Sequence, residues 1–211
     1  RTDYRVNRFT STVDRLPELG YSLPSTELFD SGFYMKNSTT LSSLVKKPAS
    51  PGTYSEANRI HVDNEVSYPA KVSFVEVRPF VGTRQTYYSR NKDGDERDAM
   101  RGVFRTGLDM STKFYRVYDV STDALSLDIH DLRHVVTPSV KYEYQHHPTR
   151  QPDSLEQFDS VDALARAHQA ILSLENKLQT KRDGVSVDLV RTIVSTDFAF
   201  QEDTALPSSF N

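Results

Sequence analysis

Polar and apolar residues alternate with period two along most of this chain, the spacing produced when successive side chains leave opposite faces of a β-strand. Residues 103–118 are the clearest case. Phe104, Thr106, Leu108, Met110, Thr112 and Phe114 share one parity, and Arg105, Gly107, Asp109, Ser111 and Lys113 share the other. Between 58 and 68, Ile60, Val62, Val66 and Tyr68 oppose Arg59, His61, Asp63, Glu65 and Ser67. Between 132 and 144, Val136, Pro138, Val140, Tyr142 and Tyr144 oppose Arg133, Ser139, Lys141 and Glu143. In 188–200, Val190, Thr192, Val194, Phe198 and Phe200 oppose Arg191, Ser195 and Asp197. Weaker alternation covers 16–23, 29–45 and 73–89, and a strand at about 168–181 brings the expected number to eight. Several of these run past ten residues, whereas a soluble strand averages about five or six.

The predicted fold is therefore all-β, an antiparallel meander of about eight long strands. One stretch is ambiguous. Val161, Leu164, Ala165, His168, Ile171, Leu172, Glu175 and Leu178 fit helical spacing, yet Leu172, Leu174 and Leu178 against Ser173, Glu175 and Lys177 also fit a strand. Connections near 24–28, 69–71 and 182–184 are short, the last with an Asp183–Gly184 hairpin signal. Those near 46–57, 91–98 and 146–167 are long and polar, and the 119–130 connection breaks the short–long alternation. No internal repeat is visible, which argues against solenoids and propellers.

Composition narrows the class. Hydrophobic residues make up 36% of the 211, low for a soluble core, while aromatics at 10% are too many for disorder. Net charge is −3 without a basic patch, which points away from nucleic acid. Cysteine is absent, removing disulfides and thiolate metal sites. No apolar run approaches the ~20 residues of a spanning helix, but a spanning strand needs only about 9–11 alternating residues. An apolar face edged by Tyr and Phe, backed by a charged face, suits an outer-membrane barrel wall. A porin-like channel and a soluble carbohydrate-binding β-sandwich remain open as alternatives. The start at Arg1 is expected to be an internal point of a longer protein.

Catalytic and metal chemistry finds little footing. His146 and His147 precede Pro148 in a polar loop, and His130, His134 and His168 are scattered, with no converging set of ligands. Ser126, Asp128 and His130 supply the letters of a hydrolytic triad without a nucleophile elbow. Asn91–Asp95 lacks the downstream Glu of a calcium loop. No cofactor, metal or enzymatic activity is expected. Pro138 within a strand removes a ladder donor and predicts a bulge or break.

Several phrases together resemble the LptD family of lipopolysaccharide-assembly (organic solvent tolerance) proteins. The clearest is Leu132-Arg133-His134-Val135-Val136-Thr137-Pro138, closing on Val140, Tyr142 and Tyr144. Phe158-Asp159-Ser160 after a polar loop, and Leu172-Ser173-Leu174-Glu175-Asn176-Lys177-Leu178, are similar to the family's continuation. Upstream stand Val13-Asp14-Arg15-Leu16-Pro17-Glu18-Leu19, and the passage from Val66-Ser67-Tyr68-Pro69 to Arg84-Gln85-Thr86-Tyr87-Tyr88-Ser89. The likeness spans about 13–200. It favours a brief helical turn at about 161–167 followed by a strand from about 169.

The resemblance implies residues 1–211 to be part of the family's barrel domain, with the N-terminal jelly roll and the lateral-gate strands lying elsewhere. It implies lipopolysaccharide transport and assembly at the outer membrane of a Gram-negative-type bacterium. The implied partners are lipopolysaccharide, an LptE-like plug lipoprotein, a periplasmic LptA-like bridge reached through the jelly roll, and outer-membrane lipids. Cysteines that form disulfides in some members have no counterpart. On this reading Arg105, Asp109, Ser111, Lys113, Lys141, Glu143, Glu175 and Lys177 face the lumen. Phe104, Leu108, Met110, Phe114, Val140, Tyr142, Leu172, Leu174, Val194 and Phe198 face lipid.

Overall fold

The computed structural model describes residues 10–49, 52–90, 98–122, 129–182 and 185–200. Ten strands form one antiparallel sheet: β1 (Thr12–Glu27), β2 (Tyr34–Lys47), β3 (Ser55–Ser67), β4 (Ala70–Val72), β5 (Val75–Tyr88), β6 (Ala99–Thr112), β7 (Phe114–Thr122), β8 (Ile129–Gln145), β9 (Ala167–Arg182) and β10 (Val185–Ala199). Eight of them make the continuous path β1-β2-β3-β5-β6-β8-β9-β10, while β4 hangs on β5 and β7 on β8. The eight-strand expectation thus matches the path. β1 and β10 are its two edges.

Boundaries differ from the sequence reading in places with physical causes. The strand expected over 29–45 begins only at Tyr34, because Phe29, Asp30 and Gly32 take positive φ in a turn. Within it the Leu28 amide donates to the Phe33 carbonyl, 2.8 Å. The connection expected at 69–71 extends further, through β4 to a turn at Ser73, φ 58°. The 119–130 connection is shorter than expected, since β7 runs on to Thr122 and β8 starts at Ile129. The 103–118 strand is divided at Lys113 into β6 and β7. Pairing with β8 runs to Ser111↔Ser139 and resumes at Phe114↔Val136 in unchanged register. The gap lies opposite Pro138, which has no N–H to give. A break without a bulge is the outcome. Asp183–Gly184, Asn91–Asp95, Ser126 and Asp128 lie outside the described residues.

The ambiguous stretch is strand from Ala167 onward, preceded by a single turn over 160–163 rather than a helix. All 13 residue pairs from Arg133↔Gln179 to Gln145↔Ala167 align without a shift. Cross-strand pairing of β9 on both sides outweighs its local helical spacing.

The strand ends Lys47 and Ser55, Tyr88 and Ala99, and Gln145 and Ala167 lie at one end of the sheet, called here the loop end. The opposite end carries 28–33, 68–74 and the β9–β10 hairpin, and is the turn end. Register carries parity across the sheet, so two faces are continuous. One row of the apolar face reads Val77, Met110, Val140, Leu172, Thr196. One row of the other reads Arg78, Asp109, Lys141, Ile171, Asp197.

Candidate functional site

The charged face carries the chemistry, and cross-strand ion pairs organise it. Arg78 on β5 donates to Asp109 on β6 and Glu65 on β3, Nη2···Oδ2 2.5 Å and Nη1···Oε1 2.9 Å. Arg105 reaches Asp63 at 2.9 Å and Glu65 at 3.0 Å, and Arg84 Nε meets Asp63 at 2.8 Å. These pairs are half-buried, between the small worth of surface pairs and the heavy desolvation of buried ones. Phe80 lies among them, with Arg78 5.5 Å and Arg105 5.7 Å from its ring centroid. Its ring covers Gly107, where a Cβ would stand 2.5 Å from Phe80 Cζ and against the Tyr142 carbonyl. An aromatic laid over a bare glycine keeps the strand covered where a second side chain would not fit.

Lys141 stands opposite Asp109, and Glu143 opposite Gly107. Toward the turn end, Glu175 accepts from Arg191 Nε at 2.5 Å and lies 3.5 Å from Lys177. Between these two charged zones runs a neutral row of four serines, Ser111, Ser139, Ser173 and Ser195, in register across β6, β8, β9 and β10. Lys113 is exposed at the β6–β7 break. Seven of the eight residues expected on the polar face therefore share one face, and the eighth, Lys113, lies between strands.

A second feature was not anticipated. Residues 146–166 leave β8, turn at Pro152–Ser154 and fold back over the charged face as a strap crossing toward β1. Phe158 packs on Leu44 and Ala57, and Leu155 on Tyr88 and Ala99. Two acids pin the strap. Asp159 takes Arg59 through both oxygens, 2.8 Å each, and Arg15 at 3.0 Å. Asp162, fully buried, accepts from Arg59 Nη1 (2.9 Å) and the Tyr88 hydroxyl (2.5 Å). Its second oxygen caps the Phe158 and Asp159 amides at 2.8 and 3.0 Å. Arg101, 1% exposed, gives its guanidinium to the Asp162 and Val161 carbonyls at 2.7 and 2.5 Å. Lys46 closes on Glu156 at 2.7 Å, and the Gln145 amide reaches the Ala165 carbonyl. Burial alone would push the Asp159 carboxyl up. The Arg59 hydrogen bond and charge, then Arg15 and the Val161 amide, outweigh it and hold the group down at about 2.

The other face is bare. Phe104, Phe114, Leu172, Leu174, Val194 and Phe198 are each at least 40% exposed, while Leu108, Met110, Val140 and Tyr142 are half-buried by their neighbours. Aromatics mark both ends of the stripe. Phe74 meets Phe114 at the turn end, centroids 6.2 Å apart, and Tyr142, Tyr144 and Phe200 surround His168 at the loop end. Polar residues enter the same face from Phe114 onward, with Asn176 level with it and Arg116 and His134 in the next row.

Among the described residues no group of three or more His, Asp or Glu side chains converges as metal ligands. No helix is long and apolar enough to cross a membrane, a criterion that does not bear on strands. No curated protein matches the chain. A family model described as LptD, LPS transport system D, matches residues 3–207. With nearly the whole chain covered by that model and an all-β antiparallel sheet beneath it, this chain belongs to the LptD family of outer-membrane lipopolysaccharide transport proteins.

Proposed function

We propose that this sheet is a section of the family's barrel wall, with the charged face toward a wet lumen and the apolar face toward lipid. The observation that carries this reading is the unequal covering of the two faces. The charged face is organised by ion pairs and covered at its loop end by the chain's own strap. The apolar face leaves a continuous stripe of large hydrophobic side chains that no described residue covers. A soluble sandwich would cover the apolar face and leave the charged one in water. Here every described strand belongs to one sheet.

The dimensions agree. From Phe104 to Phe114 is about 34 Å at ~3.4 Å per residue. Tilted by about 40°, that spans roughly 26 Å, the height of the apolar band on an outer-membrane barrel. The apolar stretches also drift along the register. The middle of the 60–68 stretch in β3, Asn64, is in line with Phe104; the middle of the 190–200 stretch in β10, Ser195, is in line with Ser111. Seven residues of drift over five strand spacings is about 23 Å along for about 24 Å across, a slope of roughly 45°. A band level with a membrane would drift by this amount across strands tilted 35–45°.

On this reading the wall has a transport role without catalysis. Arg105, Asp109, Lys141, Glu143, Glu175 and Lys177 keep the interior hydrated, and mixed charge lets a phosphorylated saccharide pass without being trapped. Ser111 and its row give uncharged hydroxyls for the same surface. The acyl chains leave through gate strands elsewhere in the protein. An LptE-like lipoprotein plugs the lumen, and an LptA-like bridge delivers lipid through the jelly-roll domain. The test is photocrosslinking in the full protein from Asp109 and Lys141 replaced by a photoreactive residue. Adducts with saccharide or plug are expected. Adducts with acyl chains alone would reverse the assignment of the faces.

A further inference from the structure

Tyr142, Tyr144, His168 and Phe200 gather on the apolar face at its loop end. The His168 ring centroid lies 5.7, 5.6 and 4.8 Å from those of Tyr142, Tyr144 and Phe200, with the Tyr142 hydroxyl 3.0 Å from His168 Nε2. Arg166, two residues before His168 and of the same parity, places its guanidinium 5.9 Å from the Tyr144 ring centroid. No carboxylate meets Arg166 among the described residues. Its polar contact is His147 Nε2 at 3.4 Å, and its Nε is buried without a hydrogen-bond partner. The apolar-face positions of β6, β8, β9 and β10 include no Asp or Glu among the described residues. Among the described residues this aromatic rim holds no acid and the guanidinium keeps donors to spare, an arrangement that suits an anion.

Farther along the same strands the apolar face opens into a groove of about 490 Å³. Met110, Pro138, Val140, Leu172, Leu174 and Val194 line it. The small Ala170 lies on β9 between His168 and Leu172, so no large side chain on that strand closes the way from rim to groove. Tyr144 to Pro138 is about 20 Å along the strand. At a tilt of about 40° that is roughly 15 Å of depth, about half the ~30 Å hydrocarbon layer. An anion-binding rim above an apolar groove at that depth has the dimensions of one phosphorylated, acylated lipid.

We infer that the lipid side of β8–β10 holds a binding site for lipopolysaccharide itself. A phosphate of its lipid anchor sits at Arg166 and the aromatic rim, and an acyl chain lies in the Pro138–Leu172 groove. The inference rests on the proposed facing of the sheet and takes the loop end as outermost, because outer-membrane barrels carry their longer loops outside. It adds to that orientation a lipid held against the outer wall, apart from any cargo inside.

The test uses the full-length protein with its partners, reconstituted in nanodiscs holding lipopolysaccharide, with phosphatidylglycerol in parallel discs. A photoreactive residue at position 172 is expected to capture lipopolysaccharide. Arg166→Gln should lower that capture about fivefold, the effect of one basic residue at an anionic lipid surface. Lys181→Gln, at the turn end, should leave it unchanged. Capture untouched by Arg166→Gln, or equally efficient capture of phosphatidylglycerol, overturns the site while leaving the orientation intact. Capture of acyl chains from position 175 but not from 172 overturns the orientation, and the site with it.

Discussion

Removing the Asp162 carboxylate is the sharpest perturbation of the strap. Four hydrogen bonds end on it: from Arg59, the Tyr88 hydroxyl, and the Phe158 and Asp159 amides. In Asp162→Ala the Arg59 charge is not abandoned, because Asp159 still holds it through both oxygens. The loss falls on the Tyr88 hydroxyl, 1% exposed, and on the two strap amides. Each buried polar group left without a partner costs about 1–3 kcal/mol. Breaking a buried pair outright costs about 3–5 kcal/mol. Retention of the Asp159 clamp puts the expectation at the lower end, about 3 kcal/mol. Spent on local opening of the strap, that is roughly a 150-fold shift in the opening equilibrium. Hydrogen exchange on the full protein should show residues 155–165 losing about two orders of magnitude of protection in Asp162→Ala, with β9 and β10 unchanged. Ser160→Ala, exposed and outside the clasp, should exchange like the parent. If Asp162→Ala stays within about twofold of that control, the clasp does not hold the strap.

The remaining predictions address the faces, the acid range and the packing under Phe80. Leu108→Arg should cost about 2–4 kcal/mol near mid-membrane, and Asp109→Arg much less, in unfolding titrations of the folded barrel; equal tolerance would mean the faces are misassigned. Asp159 is lowered from 3.8 to about 2, so its contribution is complete above the unfolded value and fades as pH falls through the folded one. A nitroxide at position 160 should therefore report the same strap mobility at pH 7 and pH 5, loosening only between about pH 4 and 2; loosening near pH 6 would contradict the charge assignment. Gly107→Ala should destabilise by about 1–3 kcal/mol through overpacking. Pairing it with Phe80→Ala should cost less than the two changes separately, measured by the same titration, and simple additivity would show that the ring does not occupy that space.

Much of the sheet was legible because its information is local. Parity within single strands placed Phe104 to Phe114 and Arg105 to Asp109 on opposite faces, and the register preserves that division across the path. Ends of strands were less legible. Phe29 and Phe33 look like strand residues, but the positive φ of Phe29, Asp30 and Gly32 belongs to a turn. The 161–178 stretch could not be resolved by its own pattern, since neighbours on both sides determine it. The strap was out of reach for a different reason. Arg59 and Asp159 are 100 residues apart, and nothing in either neighbourhood names the other. A faint signal exists in Leu155 and Phe158, two large apolar residues that follow the polar run 146–154 and are themselves followed by Asp159 and Asp162. Phe80 on the charged parity was a second: an aromatic out of pattern beside two glycines of that same parity, Gly82 and Gly107.

The central claim is that consecutive residues of β6 meet different solvents. Nitroxides placed singly at each position from 104 to 114 of the full protein in bilayers test it through collision with oxygen, which favours lipid, and with a water-soluble nickel chelate. Oxygen maxima are expected at 104, 106, 108 and 110, with nickel access at 105 and 109 and a minimum of both at 107, where the Phe80 ring lies over the strand. Uniform nickel access along the strand, or a single apolar environment at both parities, would contradict it.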